Sequence, residues 1–200
     1  MMDLRIYKKE LRDKAKARRR ALTPEQKAAL DAAIAKRLLS TWQYRECQTL
    51  LIYASTAIEV DTFAVINQAL ADGKRVALPR CVPGTRNMNF HYITSTDELS
   101  PGSFSVLAPS PDAPIAVRPR RALMVVPALG LDWSGYRLGY GGGYYDRYIA
   151  EFSGRTIGIC YSADCLRRLH HGRFDRTVDV ILTEKYIRRT MTKHIGDDKK

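Results

Sequence analysis

The chain has 200 residues, 45% of them hydrophobic, which excludes a disordered protein and is enough apolar material for one packed core. Its formal net charge of +12 indicates an anionic partner or simply keeps the protein soluble, and composition alone does not choose between nucleic acid, a nucleotide and a polyanionic metabolite. No apolar run is long enough to cross a bilayer, and residues 1–20 contain no signal-peptide hydrophobic stretch, so we expect a cytoplasmic protein without a membrane partner.

The first predicted element is a basic helix. Residues 1–20 contain nine Lys or Arg against three Asp or Glu, a net charge of +6, and their apolar positions fit a loose helical stripe. Such a segment is typical of a nucleic-acid-binding arm and equally of a solvated helix face. A second helix is predicted from Thr23 to about Ser40, because Thr23, Pro24 and Gln26 form an N-terminal capping pattern.

Strands and helices alternate along the remainder of the chain. Short apolar or alternating segments predict strands at residues 49–54, 75–79, 87–93, 121–129, 156–161 and 178–183. Helical spacing predicts helices at 60–74 and 142–152, and five prolines make 101–119 an irregular connection. This alternation predicts an α/β fold, a three-layer α/β/α sandwich around a mainly parallel sheet, in a single domain. We expect the domain to span residues 1–190, followed by a flexible C-terminal tail at 191–200.

The cysteines predict neither a metal site nor a disulfide. They are Cys47, Cys81, Cys160 and Cys165, with no CxxC pair and no histidines at zinc spacing. In a cytoplasmic protein, reduced thiols are the usual state. We therefore predict free thiols at all four positions.

The segment RLGYGGGYYDR, residues 137–147, is the strongest functional signal in the sequence. Ligands of a parallel α/β sheet bind beyond the carboxyl ends of its strands, and a glycine-rich turn that opens a helix offers bare N–H groups to phosphate. The segment is neither the G-x-G-x-x-G fingerprint nor a Walker A loop. A purely structural alternative is that the glycines form a tight connection and the tyrosines pack on the core. Arg137 and Asp146 favour a binding loop instead, because a guanidinium suits phosphate oxygens and a carboxylate suits Mg²⁺ brought by a nucleotide.

Several segments carry a resemblance to a known family. RLGYGGGYYDR, preceded by VVPALGLDWSGY, is similar to the signature of the 5-formyltetrahydrofolate cyclo-ligases, also called 5,10-methenyltetrahydrofolate synthetases. Lys8–Arg12 resembles the K-x-x-L-R element of this family, Ile58–Thr62 its E-[IV]-x-T step and Phe174–Asp179 its D-x-x-V-D segment. The likeness extends over roughly residues 4–186.

The resemblance implies a set of ligand-binding residues. Those implied for ATP are Lys8, Lys9, Glu10, Leu11, Arg12, Arg137, Leu138, Gly139, Tyr140, Gly141, Gly142, Gly143, Tyr144 and Tyr145. Those implied for the folate substrate are Arg12, Ala54, Glu59, Tyr140, Gly141, Gly142, Gly143 and Tyr144. Mg²⁺ would be held by Asp146 and Asp175. We predict that Arg137 and Tyr144 are the catalytic residues, the first by offsetting charge on the transferred phosphoryl group and the second by holding the folate near N10.

The resemblance further implies a reaction. An ATP- and Mg²⁺-dependent ligase would cyclise 5-formyltetrahydrofolate to 5,10-methenyltetrahydrofolate, with release of ADP and phosphate. The intermediate would be a phosphorylated formyl group, an iminium phosphate. The implied partners are ATP and 5-formyltetrahydrofolate, with or without a polyglutamate tail, and no nucleic acid. We expect a monomer.

The sequence departs from the family pattern at two places. Tyr140 occupies a position that is often basic in the family, and Ala108-Pro109 stands where many members have Glu-Pro. Two other functions remain open. One is a nucleic-acid-binding protein that uses residues 1–20 as an arm, and the other is an ATP-dependent enzyme on the same scaffold with another substrate.

Overall fold

A seven-stranded mixed sheet forms the centre of the computed structural model, which describes residues 3–117 and 119–190. The described strands, in chain order, are β1 (Thr49–Leu51), β2 (Arg75–Cys81), β3 (Met88–Ile93), β4 (Ser100–Pro101), β5 (Leu107–Ala108), β6 (Ala122–Pro127), β7 (Gly130–Asp132), β8 (Arg137–Leu138), β9 (Arg155–Ile159), β10 (Cys165–Leu166), β11 (Val180–Leu182) and β12 (Ile187–Arg189). The described α-helices are α1 (Leu4–Arg20), α2 (Pro24–Ser40), α3 (Trp42–Glu46), α4 (Phe63–Ala71) and α5 (Tyr144–Glu151).

The order of the strands across the sheet defines a ligand-binding crevice. From one edge to the other the order is β12-β11-β9-β6-β1-β2-β3, with the five central strands parallel and both edge strands antiparallel to their neighbours. Numbered along the chain, the parallel strands follow the order 2-1-3-4-5, so the winding reverses between β1 and β6. In open α/β sheets, ligands bind beyond the carboxyl ends of the strands at this reversal. The prediction of a mainly parallel sheet is confirmed.

Helices cover both faces of the sheet. Successive residues of a strand point to opposite faces, so Leu50 and Leu51, both fully buried, belong to different hydrophobic clusters. Leu50 shares its cluster with Leu38 of α2 and Ile66 of α4. Leu51 shares its cluster with Ile149 of α5. The three-layer α/β/α sandwich predicted from the sequence, in a single domain, is therefore confirmed.

The basic helix α1 packs on the carboxyl side of the sheet. Its Leu11 and Ala15 lie in a hydrophobic cluster with Leu129, which follows β6, and with Leu138 of β8. Because this packing turns one face of α1 toward the protein, some of its cations are buried, and Arg19 is only 5% exposed. A fully solvated basic face, one of the two interpretations of residues 1–20, is therefore wrong for that part of the helix.

Several elements begin or end at residues other than those predicted. The strand predicted at 121–129 ends at Pro127, which lacks the N–H that a sheet ladder needs, and the chain then forms a hairpin of β7 and β8. The strand predicted at 49–54 ends at Leu51, and the helix predicted from residue 60 begins at Phe63.

Some features fall outside the sequence prediction. The edge strand β12 was not predicted, because all three of its residues are exposed and give no apolar pattern. The connection predicted to be irregular at 101–119 takes part in a short antiparallel pair, in which β5 lies beside β4. The predicted tail at 191–200 lies outside the described residues. No helix within 3–117 and 119–190 combines the length and apolar character needed to cross a bilayer.

A buried ion pair joins α1 to the ends of two strands. Nε of Arg19 donates to Oδ2 of Asp164 at 2.9 Å, and both residues are buried. The two Nη atoms of Arg19 donate to main-chain carbonyls, that of Ala128 at 2.7 Å and that of Ile58 at 3.2 Å. Arg18 contacts the other carboxylate oxygen of Asp164. Since Ala128 follows β6 and Ile58 lies in the segment after β1, one guanidinium holds the helix against both strand ends.

Removal of this carboxylate should destabilise the protein strongly. In Asp164→Ala the guanidinium of Arg19 stays buried without its counter-charge, which costs about 3–5 kcal/mol of the free energy of unfolding. Urea unfolding followed by far-UV circular dichroism measures this loss. The matched control is Asp13→Ala, which removes the exposed Lys9–Asp13 ion pair and should leave the free energy of unfolding within experimental error. Equal effects of the two substitutions would contradict the assignment.

Candidate active site

The glycine loop, residues 139–143, connects the β7–β8 hairpin to α5 beyond the carboxyl end of β6. Gly143 caps α5 with a φ of 73° and Gly141 has a φ of 105°, values at which a side chain would strain the backbone. A Cβ on Gly139 would lie 2.4 Å from Nη1 of Arg137, so the guanidinium can lie there only against a glycine. The loop thus presents bare main chain at the N-terminus of a helix, an arrangement that favours an anion.

Arg137 and Tyr145 each carry a buried polar atom that lacks a partner in the part of the chain that the structure describes. Nη2 of Arg137 donates to Oδ2 of Asp146 at 2.9 Å, and the guanidinium lies 5.3 Å from the centre of the Tyr145 ring. Nε of Arg137 and the hydroxyl of Tyr145 are buried without a hydrogen-bond partner among the described residues. Burial, and then the charge of Glu59, raise the pKa of Tyr145, so its hydroxyl keeps its proton at neutral pH. Buried polar atoms are nearly always paired in native proteins, so these two donors point to a ligand.

Two carboxylates approach this region from different elements. Asp146 lies in the first turn of α5, and its Oδ1 accepts the N–H of Arg176 at 3.2 Å. Asp175 precedes Arg176 in the chain. Its Oδ2 accepts hydrogen bonds from Nζ of Lys8 and from the N–H of Gly172, both at 2.6 Å. The structure therefore brings together the two residues predicted to hold Mg²⁺.

Hydrogen bonds and positive charges keep Asp175 ionised. Partial burial raises the pKa of Asp175, but the hydrogen bonds from Lys8 and Gly172 and the charges of Lys8 and Arg137 outweigh it. The pKa of Asp175 consequently lies below its ordinary value. The Lys8–Asp175 contact is an ion pair at neutral pH.

α1 brings two cations to this region. Lys8 reaches Asp175, as described above. Arg12 donates from Nε to the carbonyl of Gly139 at 2.8 Å, and its guanidinium lies near Gly141. The helix that the sequence marks as basic therefore supplies positive charge near the glycine loop.

Four other residues predicted to bind ATP make different contacts. Lys9 is exposed and pairs with Asp13 at 3.1 Å, and Glu10 is also exposed. Leu11 and Leu138 belong to the hydrophobic cluster under α1. Any part that these residues take in nucleotide binding stays a prediction.

The residues predicted to contact folate gather after the end of β1. Ala54 and Glu59 are buried there, and Oε2 of Glu59 accepts the N–H of Thr56 at 2.8 Å and its hydroxyl at 2.9 Å. Tyr140 of the glycine loop comes close enough that burial, and then the charge of Glu59, raise the pKa of its hydroxyl. Lys16 lies 5.5 Å from the centre of the Tyr140 ring. Segments that are distant in the sequence thus meet at the crevice.

Tyr144 faces Phe104, a residue that no sequence motif singles out. Its ring meets that of Phe104 edge to face, with the ring centres 6.3 Å apart, and its hydroxyl donates weakly to the carbonyl of Thr85 at 3.4 Å. Phe104 is 78% exposed and has a φ of 59°, a conformation that costs a residue with a side chain about 1–2 kcal/mol. The structure thus places an exposed ring in a strained turn beside Tyr144.

Comparison with known proteins identifies the family. The model of the 5-formyltetrahydrofolate cyclo-ligase family matches residues 5–184. The chain belongs to this family. The 5-formyltetrahydrofolate cyclo-ligase of Escherichia coli (strain K12) is 32% identical over 151 residues, which cover 74% of this chain and 83% of the relative. That of Mus musculus is 27% identical over 192 residues, covering 88% of this chain and 93% of the relative.

Solved structures of related proteins have the same fold. The 5,10-methenyltetrahydrofolate synthetase of Aquifex aeolicus, determined by NMR, matches with a TM-score of 0.80 at 28% identity and covers 96% of this chain and 99% of its own. That of Mycoplasma pneumoniae matches with a TM-score of 0.72 at 23% identity, covering 88% and 98%. The resemblance to the cyclo-ligase family stated from the sequence is therefore confirmed.

In this cyclo-ligase family member, the Lys8–Asp175 ion pair should make part of the stability depend on pH. A carboxylate whose pKa is lowered by folding stabilises the folded state above its unfolded pKa of about 3.9, and that contribution is lost as the pH falls through the folded pKa. We expect Asp175→Asn to be less stable than the wild type in urea at neutral pH, and the difference to shrink below about pH 4.

The control for this series is Asp112→Asn, which alters an exposed carboxylate. Its stability should follow that of the wild type at every pH. A deficit of Asp175→Asn that is the same at neutral and acidic pH would contradict a role for the charge.

Proposed function

We propose that the protein is a 5-formyltetrahydrofolate cyclo-ligase, which uses ATP and Mg²⁺ to form 5,10-methenyltetrahydrofolate and releases ADP and phosphate. One observation carries the proposal. In a member of this family, the buried Arg137 lies against a bare glycine loop with its Nε unpartnered among the described residues. A guanidinium with a free donor beside main-chain N–H groups suits phosphate oxygens.

The chemistry to be performed is the closure of a ring at an unreactive carbon. A formamide oxygen is a poor leaving group and its carbon a poor electrophile. Transfer of the γ-phosphoryl group to the formyl oxygen changes both, because it gives an iminium phosphate. N10 then attacks the carbon, the C–O bond breaks, and the N10 proton leaves with the phosphate. Such transfers are accelerated mainly by positioning and by neutralisation of charge.

The cations around the glycine loop suit the triphosphate. Gly141 and Gly142 are exposed, so phosphate oxygens can approach their N–H groups without steric hindrance. Arg137, Arg12 and Lys8 supply positive charge near the loop. In this arrangement Arg137 would offset charge that develops during transfer, which is the role predicted for it.

Asp146 and Asp175 fit Mg²⁺ carried by a nucleotide. Mg²⁺ prefers oxygen ligands and usually binds one or two carboxylates together with phosphate oxygens and water. In the structure these carboxylates pair with Arg137 and Lys8, and phosphate oxygens that take over the two cations would leave both carboxylates available. When bound, Mg²⁺ would neutralise charge on the phosphate oxygens.

The crevice after β1 suits the folate. The buried carboxylate of Glu59 can accept hydrogen bonds from the amino and N–H groups of the pterin. Tyr140 and Tyr144 offer hydroxyl groups and ring faces, and the exposed ring of Phe104 extends the aromatic surface beside Tyr144. The cations of the surface also suit a polyglutamate tail. A monomeric state and a cytoplasmic location stay predictions.

A direct assay tests the proposal. Methenyltetrahydrofolate absorbs in the near ultraviolet, so protein mixed with MgATP and 5-formyltetrahydrofolate should produce a rising absorbance that is absent without ATP. A flat trace, together with ATP hydrolysis in the presence of another compound, would favour an ATP-dependent enzyme with a different substrate. Salt-sensitive binding of RNA or DNA without turnover would favour the nucleic-acid-binding alternative.

Replacement of Arg137 should abolish most of the turnover while the fold persists. Arg137→Lys keeps the positive charge but loses the planar fork, and we expect kcat to fall about 100-fold or more. Far-UV circular dichroism should match that of the wild type. The control is Arg45→Ala, an exposed arginine of α3, which should keep normal kcat. Near-normal kcat in Arg137→Lys would remove this residue from the catalytic machinery.

Replacement of Asp146 should weaken the dependence on Mg²⁺. Asp146→Asn removes one anionic oxygen donor, so about tenfold or more Mg²⁺ should be needed to reach half of the maximal ATP binding in calorimetry. The same titration with Asp112→Asn provides the control. An unchanged Mg²⁺ titration would exclude Asp146 as a ligand.

A further inference from the structure

Cys160 and Cys165 form a close pair of thiols that takes no part in the candidate active site described above. Cys160 follows β9 and is fully buried, whereas Cys165 begins β10 and is partly exposed. Their Sγ atoms lie 3.7 Å apart and both thiols are free. Cys47 and Cys81 are free as well, the first buried against the carbonyl of Tyr44 and the second on β2. The structure thus sets one pair of cysteines apart from the other two.

The two thiols of the pair differ in their acidity. Hydrogen bonding from Cys160, and then from the hydroxyl of Tyr186, lowers the pKa of Cys165 to about 7 in spite of partial burial and the charges of Glu184 and Asp164. The same hydrogen bond, together with burial, raises the pKa of Cys160. At neutral pH a substantial share of Cys165 is therefore the thiolate, the form that reacts, and Cys160 keeps its proton.

The more acidic cysteine of the pair is also the more exposed one. An oxidant from solution reaches Cys165 because it is partly exposed, and it does not reach the fully buried Cys160. The second sulfur is already within 3.7 Å of the first. A low-pKa, accessible cysteine next to a second thiol is the arrangement of reversible redox sites in proteins.

We propose that Cys160 and Cys165 are a reversible dithiol–disulfide site, in which Cys165 reacts with hydrogen peroxide and Cys160 resolves the product. The Cys165 thiolate attacks one peroxide oxygen, the O–O bond breaks, and a sulfenic acid and water form after one proton is taken up. The Cys160 sulfur then attacks the Cys165 sulfur, the S–O bond breaks, and the hydroxyl leaves as water with the proton of Cys160. Two electrons pass from the thiols to the peroxide.

The bond would act on the buried ion pair of α1. Disulfide formation shortens the distance between the sulfurs from 3.7 Å to about 2.05 Å, so one or both of the cysteine side chains must move. Asp164, the residue before Cys165, holds Arg19, which in turn holds the carbonyl of Ile58 next to Glu59. The site itself does not depend on the function proposed above, because its chemistry involves only the two thiols.

Mass spectrometry of the full chain tests the proposal. Trypsin releases both cysteines in one peptide, residues 156–167, and cleavage before Asp164 then separates them unless a disulfide joins the two fragments. After mild peroxide treatment and alkylation, we expect the fragments to stay joined, with loss of two hydrogen atoms, and to separate after dithiothreitol. Cys165 should react at least about tenfold faster than Cys81, which is also partly exposed but whose pKa is raised by burial.

Two variants separate the roles of the sulfurs. In Cys160→Ala the Cys165 sulfenic acid should persist and be trapped by dimedone, and in Cys165→Ser Cys160 should stay reduced. Equal oxidation rates of Cys165 and Cys81 in the wild type would overturn the proposal without any variant. Accumulation of sulfinic acid at Cys165 in place of the joined fragments would also overturn it, because Cys160 would not be resolving.

Discussion

The buried guanidinium of Arg19 holds the first helix on the sheet, and the candidate site depends on that attachment. Its three hydrogen-bonded partners lie after β1, after β6 and just before β10, so a single side chain fixes α1 relative to the crevice where the winding of the sheet reverses. Once α1 is fixed there, Lys8 reaches Asp175 and Arg12 reaches the glycine loop.

The glycine loop and Arg137 constrain each other. The guanidinium occupies the space that a side chain at Gly139 would fill, and it lies between the carboxylate of Asp146 and the ring of Tyr145. The loop therefore serves two purposes, since its bare main chain is accessible to a ligand and its lack of side chains lets an arginine come to rest beside it. Adding a methyl group at Gly139 would move the cation as well as cover the loop.

The fold and part of the site could be predicted from the sequence because their signals are local. Alternating apolar strands and capped helices indicated the three-layer sandwich, and Arg137 and Asp146 lie in one short segment, so their proximity needed no tertiary information. The roles of Arg19 and Phe104 could not be predicted from the sequence. Charge along α1 does not reveal which cation meets Asp164, and the contact of Phe104 with Tyr144 arises only when two distant turns meet.

The pairing of Arg137 with Asp146 and of Lys8 with Asp175 has a consequence for the response to salt. Because Arg137 and Lys8 are already matched by carboxylates, these two cations contribute little net charge to the field at a distant anion. Salt screens the attraction between exposed charges that lie farther apart than the Debye length, about 8 Å at physiological ionic strength. It hardly weakens contacts between partly desolvated groups. Capture of an anionic ligand by Arg137 and Lys8 would rely on exchange of partners at short range, where screening by salt is weak.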